Sequence, residues 1–267
     1  MSLLSTGMQQ VIITRPEQDA ASWASSLEAA GFKVRLFPLL DLSDFMAAPE
    51  AQKACELLLQ SQAVMFVSAN AVRFLAKALA ESPEWLTHFQ QGARAWCTGP
   101  GTATALKACG IPESQIDQPS SFAAQLDSES LWQVVSDQVT PGMCVLFIRG
   151  ADESGAIAGR DWLAQQLENA QAQVQAVAAY RRLPTVLSPA LQAQASAYVA
   201  QGAVWLFSSS AAIESLMSQC PGIDWSKAKA VVTHPRMAQL AQKLGWQQVS
   251  IAAPGIRSML ASIKSLA

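Results

Sequence analysis

The chain repeats itself, and that constrains its fold more than any other feature. Ala63–Val72 (AVMFVSANAV) matches Ala203–Ala212 (AVWLFSSSAA), each with a phenylalanine in its apolar run, Phe66 and Phe207. Thr98–Leu106 (TGPGTATAL) matches Thr233–Ala241 (THPRMAQLA). Thr98 pairs with Thr233, Pro100 with Pro235 and Gly110 with Gly245, all at an offset of 135 (98 to 233, 110 to 245). Val11–Arg15 parallels Val145–Arg149. Two copies of one unit follow, and a duplicated pair is expected to leave a ligand cleft between its halves.

Each copy alternates short apolar runs with helix-period segments. The strands Val11–Thr14, Val34–Leu40, Ala63–Val67, Ala95–Thr98, Val145–Ile148, Val174–Tyr180, Val204–Phe207 and Ala230–Thr233 are expected. Helices are expected at Asp19–Ala30, Asn70–Ala80, Thr102–Ala108, near Asp161–Asn169, at Ala211–Ser218 and at Arg236–Leu244, with Gly31, Gly110 and Gly245 as stops. Such alternation means βαβ units and mostly parallel sheets flanked by helices, an α/β fold. The 267 residues suit two domains of moderate size, and 51% hydrophobic with 14% charged residues can bury real cores.

The same composition excludes several classes. A net charge of −2 lacks the basic excess of a general nucleic-acid binder. No apolar run approaches the roughly 18 residues that span a bilayer, so no membrane partner is expected. Met1–Gln10 has no Lys or Arg and does not read as a secretory signal. Five scattered cysteines without a C-x-x-C pair read as reduced thiols of a cytoplasmic protein. Two histidines and no Cys/His cluster point to no metal. Thr98-Gly99-Pro100-Gly101-Thr102 half-matches the dinucleotide fingerprint, but Thr104 holds the third glycine position. No P-loop and no G-x-S-x-G elbow occur, so no cofactor is expected.

Several segments, in order, resemble the uroporphyrinogen-III synthase family. They are Thr14-Arg15-Pro16, Phe66–Val72 (FVSANAV), Thr98–Ala103 (TGPGTA), Leu146–Gly150 (LFIRG), Val177–Arg182 (VAAYRR) and Leu206–Ala211 (LFSSSA). The resemblance runs from Val11 to about residue 254. It implies two similar α/β domains joined by a two-stranded β-ladder, with a cleft between them. Val34–Leu40 and Val174–Leu183 would be the crossing strands. Residues 1–37 plus 184–267 would form one domain and 43–177 the inserted other, with 38–42 and 178–183 as linkers. The repeat alone would instead suggest contiguous halves.

The activity implied is cyclisation of hydroxymethylbilane to uroporphyrinogen III, with loss of water and inversion of ring D, in haem biosynthesis. The resemblance also implies no cofactor, a monomer, and transient handover of substrate from hydroxymethylbilane synthase. Its favoured catalytic candidate falls on Tyr180, whose phenolic O–H can donate to a departing hydroxyl. A packed hinge aromatic is the plainer reading, as packing is for Tyr198, which sits in a helix-like stretch.

The other candidates stand where strands hand over to helices. Ser68, Asn70, Ser208 and Ser209 are favoured N-caps, and a capping residue can still leave amides for a carboxylate. At Thr98, Gly99 and Thr102 the choice is between a tight turn, with Thr98 or Thr102 capping, and first-turn amides that bind carboxylates. Arg15 and Arg149 each end a strand, either as surface residues or as cleft cations suited to carboxylates. His234 and Arg236 replace the Gly and Thr frequent in the family, so His234 is a turn residue or a cleft donor. The rival function is a non-catalytic, two-lobed small-molecule-binding protein.

Overall fold

The computed structural model describes residues 8–120, 126–157, 162–253 and 256–266. The chain divides into two compact units, Met1–Asp41 with Leu183–Ala267, and Leu42–Arg182. It opens with β1 (Gln10–Ile13), α1 (Glu17–Ala29) and β2 (Lys33–Leu36). β3 (Leu40–Asp44), α2 (Ala48–Gln60), β4 (Ala63–Phe66), α3 (Ala69–Ala78) and α4 (Glu84–Gln90) follow. Next are β5 (Arg94–Cys97), α5 (Pro100–Ala108), β6 (Ile116–Asp117), α6 (Ser128–Val135), β7 (Cys144–Ala151), α7 (Trp162–Asn169) and β8 (Gln173–Pro184). The chain ends with α8 (Pro189–Ala200), β9 (Val204–Phe207), α9 (Ser210–Gln219), β10 (Lys229–Val232), α10 (Pro235–Lys243), β11 (Gln248–Ile251) and α11 (Ile256–Ser265).

The first unit holds a five-stranded sheet, β11-β10-β9-β1-β2, and a second sheet has six strands, β3-β8-β7-β4-β5-β6. Neighbours pair in parallel from β11 through to β2, and from β8 through to β6. With β7-β8 set against β1-β2 and β4-β5-β6 against β9-β10-β11, both sheets have one strand order. The second unit is the first with its chain order rotated, and β3 is added beside β8. The repeat is therefore real, but its two copies are circular permutants.

The central strands are buried on both faces: β4 (AVMF) and β9 (VWLF) are buried at every position. Pleating sorts alternate residues into two cores. Ile12, Trp205 and Phe207 face an aromatic-rich core, while Val11, Ile13, Val204 and Leu206 face the core under α1 and α11. Tyr198 lies edge-on to Phe37 and Trp205 in the first of these, as packing alone predicts. After α5 and α10, Gly110 (φ +98°) and Gly245 (φ +100°) take the left-handed conformation that closes a helix. The glycine pair of the repeat is thus a pair of C-terminal stops.

Some sequence expectations need correction. Val34–Leu40 is not one strand. The Phe37 N–H still bonds to the Ile13 carbonyl (2.8 Å), but Pro38 has no N–H, and pairing beside β1 gives way to β3. β8 runs well past Tyr180, and β7 runs past Arg149, so Arg149 does not end its strand. Helices α2, α4, α6, α8 and α11 were not expected. Asp161, the expected start of α7, and Met1–Gly7 lie outside the described residues. No helix among the described residues is long and apolar enough to cross a membrane.

Candidate functional site

In each sheet the winding reverses beside one central strand, β1 next to β9 and β7 next to β4. Open α/β sheets take ligands outside the carboxyl ends of strands at such a reversal. Most of the candidate residues fall at these ends, while Arg149 and Tyr180 lie inside β7 and β8.

In the second unit, β4 hands over to α3 at Ser68. The Ser68 hydroxyl caps the helix, accepting from the Ala71 N–H at 3.1 Å. Its oxygen also lies 3.2 Å from the Tyr180 hydroxyl oxygen. Phe66 pairs with Ile148. Continuing that register by two residues places Ser68 level with Gly150, whose own partner on β8 is Tyr180. Tyr180 therefore reaches Ser68 from two strands away, across Gly150. A Cβ on Gly150 would stand 2.6 Å from Cζ of Tyr180, so only glycine leaves room for the ring.

A bulge puts the ring on that side. Arg149 pairs with Ala178 and Gly150 with Tyr180, leaving Ala179 as an extra residue in β8. Ala179 and Tyr180 then both belong to the core formed with α2, α3 and α5. In a strand without the bulge, Tyr180, two residues after Ala178, would point the way Ala178 does, because one step of register reverses the face. On its chosen face Tyr180 stacks on Phe74 of α3, with centroids 5.3 Å apart and planes 25° apart. The ring is 4% exposed, while Ser68 is half-buried. Burial, the Phe74 stack and a bonded hydroxyl are all what a packed aromatic predicts, because a buried phenol O–H takes a partner.

Asn70 sits in the first turn of α3, where its Oδ1 accepts from the Arg73 guanidinium. Neither Thr98 nor Thr102 caps α5. The N-cap is Gly99, without a side-chain bond, and Pro100 occupies the first turn, where a missing N–H costs nothing. Thr102 is buried, and its N–H bonds the Gly99 carbonyl at 3.1 Å. Arg149 is 4% exposed, so it is no surface residue, and its guanidinium lies 4.7 Å from the Phe147 ring centre. It lines a pocket of about 450 Å³ with Phe147, Glu168 and Val174. That is the opposite face of β7 from Tyr180, so the structure does not bring these two residues together. A larger pocket, about 730 Å³, lies along α2 and the last turn of α3, away from Ser68.

In the first unit, Thr14 follows β1 and its hydroxyl donates to the Leu206 carbonyl at 2.7 Å. Arg15 comes next, its guanidinium 4.7 Å above the Trp23 ring. Ser208 and Ser209 follow β9, both half-buried. Ser209 occupies the N-cap of α9 without a side-chain bond, so its position, not its hydroxyl, is that of a cap. His234 caps α10, its Nδ1 accepting from the Arg236 N–H at 3.2 Å, and Arg236 is exposed. A turn role for His234 is thus met by an imidazole standing where Ser or Asn is usual.

Sequence reasoning missed Gly150 as a site residue, and Phe74. A glycine closing an apolar strand was the available signal for close approach. Among the described residues no group of three or more His, Cys, Asp or Glu could hold a metal ion. All five cysteines are free thiols.

Comparison with known proteins bears on this arrangement. The family model for uroporphyrinogen-III synthase matches residues 21–261. The uroporphyrinogen-III synthase of Salmonella typhimurium is 26% identical over 257 residues, covering 91% of this chain and 94% of that protein. That of Chlorobaculum parvum is 28% identical over 154 residues, and the match spans only 56% of each protein. The crystal structure of uroporphyrinogen-III synthetase from Helicobacter pylori shares the fold at TM-score 0.62 and 15% identity, over 97% of this chain and 100% of that one. A mutant uroporphyrinogen III synthase from Thermus thermophilus does so at 0.58 and 18%, over 97% and 98%. With the family model matching from α1 into α11, the chain belongs to the uroporphyrinogen-III synthase family.

Proposed function

We propose that this protein converts hydroxymethylbilane to uroporphyrinogen III, and that Tyr180 assists the departure of water. The observation that carries the activity is the family match across residues 21–261. The reaction begins when the terminal hydroxyl of ring A leaves with a proton, giving an electrophilic azafulvene. Ring D attacks through its substituted carbon to form a spiro intermediate. Fragmentation and reclosure leave ring D inverted, and one water is released overall. The unassisted bilane closes without inversion, so the protein's task is to hold the terminal rings in the less accessible geometry. Held geometry alone can supply roughly 7–11 kcal/mol, and a placed proton donor about 10²–10⁴-fold more.

The donor is Tyr180, whose hydroxyl is fixed by Ser68 and whose ring is fixed by Phe74. Substrate carboxylates are taken by first-turn amides and side chains where strands hand over to helices, Ser68, Asn70, Thr98, Gly99 and Thr102 in one unit and Arg15, Ser208, Ser209, His234 and Arg236 in the other, and by Arg149 inside β7. Helix starts suit anions through their orphan N–H groups and positive end, so a net charge of −2 is no obstacle. The spontaneous closure of the free bilane supports direct receipt of substrate from hydroxymethylbilane synthase, by a cytoplasmic monomer.

The test is to give purified protein freshly made hydroxymethylbilane and separate the oxidised products by chromatography. Type III isomer well above the protein-free blank is expected. A mixture no richer in type III than the blank overturns the enzyme reading and favours a binding protein.

A further inference from the structure

We infer that Gly150 and Ser68 are positioning residues for Tyr180. Gly150 leaves the gap through which the phenol crosses β7. Ser68 donates its hydroxyl proton to the phenol oxygen, so that the proton of Tyr180 is turned toward a ligand. The inference rests on Tyr180 acting as the proton donor.

Three residues occupy one row across neighbouring strands, Ser68 just after β4, Gly150 in β7 and Tyr180 in β8. Adjacent strands are about 4.8 Å apart, so a side chain spanning two intervals must pass directly over the middle residue. The middle residue is the glycine, and even a methyl group there would meet the ring at 2.6–3.0 Å. The Ala179 bulge turns the ring to this face, and Phe74 holds it there.

The start of α3 selects the direction of the hydroxyl contact. A serine hydroxyl has one hydrogen and two lone pairs. One lone pair of Ser68 already accepts the Ala71 N–H at 3.1 Å, which leaves for Tyr180 the second lone pair and the hydrogen. Given to Tyr180, the hydrogen completes a chain from the Ala71 N–H through Ser68 to the phenol, with every dipole pointing away from the start of α3. The positive end of that ten-residue helix favours this sense, since it stabilises negative charge gathering on the phenol oxygen. In the reverse sense Tyr180 would use its proton within the pair and have none for a leaving group.

The experiment combines a double-mutant cycle with a spectroscopic signature. The chain has only two tyrosines, so protein labelled at tyrosine Cζ gives two carbon resonances, Tyr180 and Tyr198. In Ser68→Ala the Tyr180 resonance is expected to move while that of Tyr198 stays. The kcat for type III formation should fall about threefold to tenfold, the range for one lost neutral hydrogen bond, and by more than any rise in KM from a lost carboxylate contact. Ser68→Gly removes the hydroxyl at little cost to the cap and should behave alike, and Ser68→Thr should restore the rate. In a Tyr180→Phe background the Ser68 substitutions should cost nothing further. An equal loss in that background, or an unmoved Tyr180 resonance, overturns the positioning role alone. A Tyr180→Phe variant as fast as wild type overturns the donor reading as well.

Discussion

The Tyr180 hydroxyl oxygen lies 3.2 Å from that of Ser68, across Gly150, although 112 positions separate the two residues in the chain. The contact joins the cap of α3 to the interior of β8, so a substitution on either side is felt at the other. It also makes Tyr180 rigid on three counts: hydroxyl, ring stack and glycine gap. Rigid placement is what a reaction limited by orientation requires.

Tyr180→Phe should slow type III formation by roughly tenfold or more without abolishing it, because positioning supplies most of the barrier reduction. The melting temperature should change little, since the Phe74 stack survives. Rate and melting temperature measured together check this; an unchanged rate would return Tyr180 to a packing role.

Gly150→Ala should destabilise the second unit by about 1–3 kcal/mol, the usual cost of an extra methyl in a packed site. The clash is with the Tyr180 ring, so the penalty should shrink when Tyr180 is also made Ala. Urea denaturation of the four proteins measures the coupling, and equal costs in both backgrounds would place the strain elsewhere.

His234→Ala removes the imidazole that receives the Arg236 N–H and should cost about 0.5–2 kcal/mol, while His234→Asn should cost far less. Chemical denaturation of both variants decides. If Asn is no better than Ala, the cap is not what His234 contributes.

Cys97 is buried at the end of β5, and burial pushes its thiol up from 9.0 to about 11. An acid held protonated by the fold stabilises below its unfolded pKa and loses that contribution as pH rises through the folded value. Stability should therefore fall by on the order of 2–3 kcal/mol between about pH 9 and pH 11. Urea midpoints across that range should slope less in Cys97→Ala than in wild type. The same burial should leave Cys97 inert to thiol reagents at neutral pH.

The sequence by itself determined the repeating βα unit, the parallel sheets and the strand-to-helix turns where the candidate residues gather. Those features are set by residues close together in the chain: apolar runs such as Ala63–Phe66, a serine before α3, glycines after α5 and α10. Helix α8 (PALQAQASAYVA) is not legible because apolar and small residues are spread around it and leave no clear stripe. Only the tertiary structure decided which residues meet. The rotated order of the second unit, the extra Ala179 in β8 and the face on which Tyr180 emerges all depend on pairing between strands far apart in sequence. A one-residue change of register there exchanges the two faces of a sheet, and no local pattern around Val177–Arg182 records it. That is why Gly150 reads as an ordinary strand-end glycine in the sequence and as the gap beneath Tyr180 in the fold, and why Arg149, one residue away, faces the opposite side.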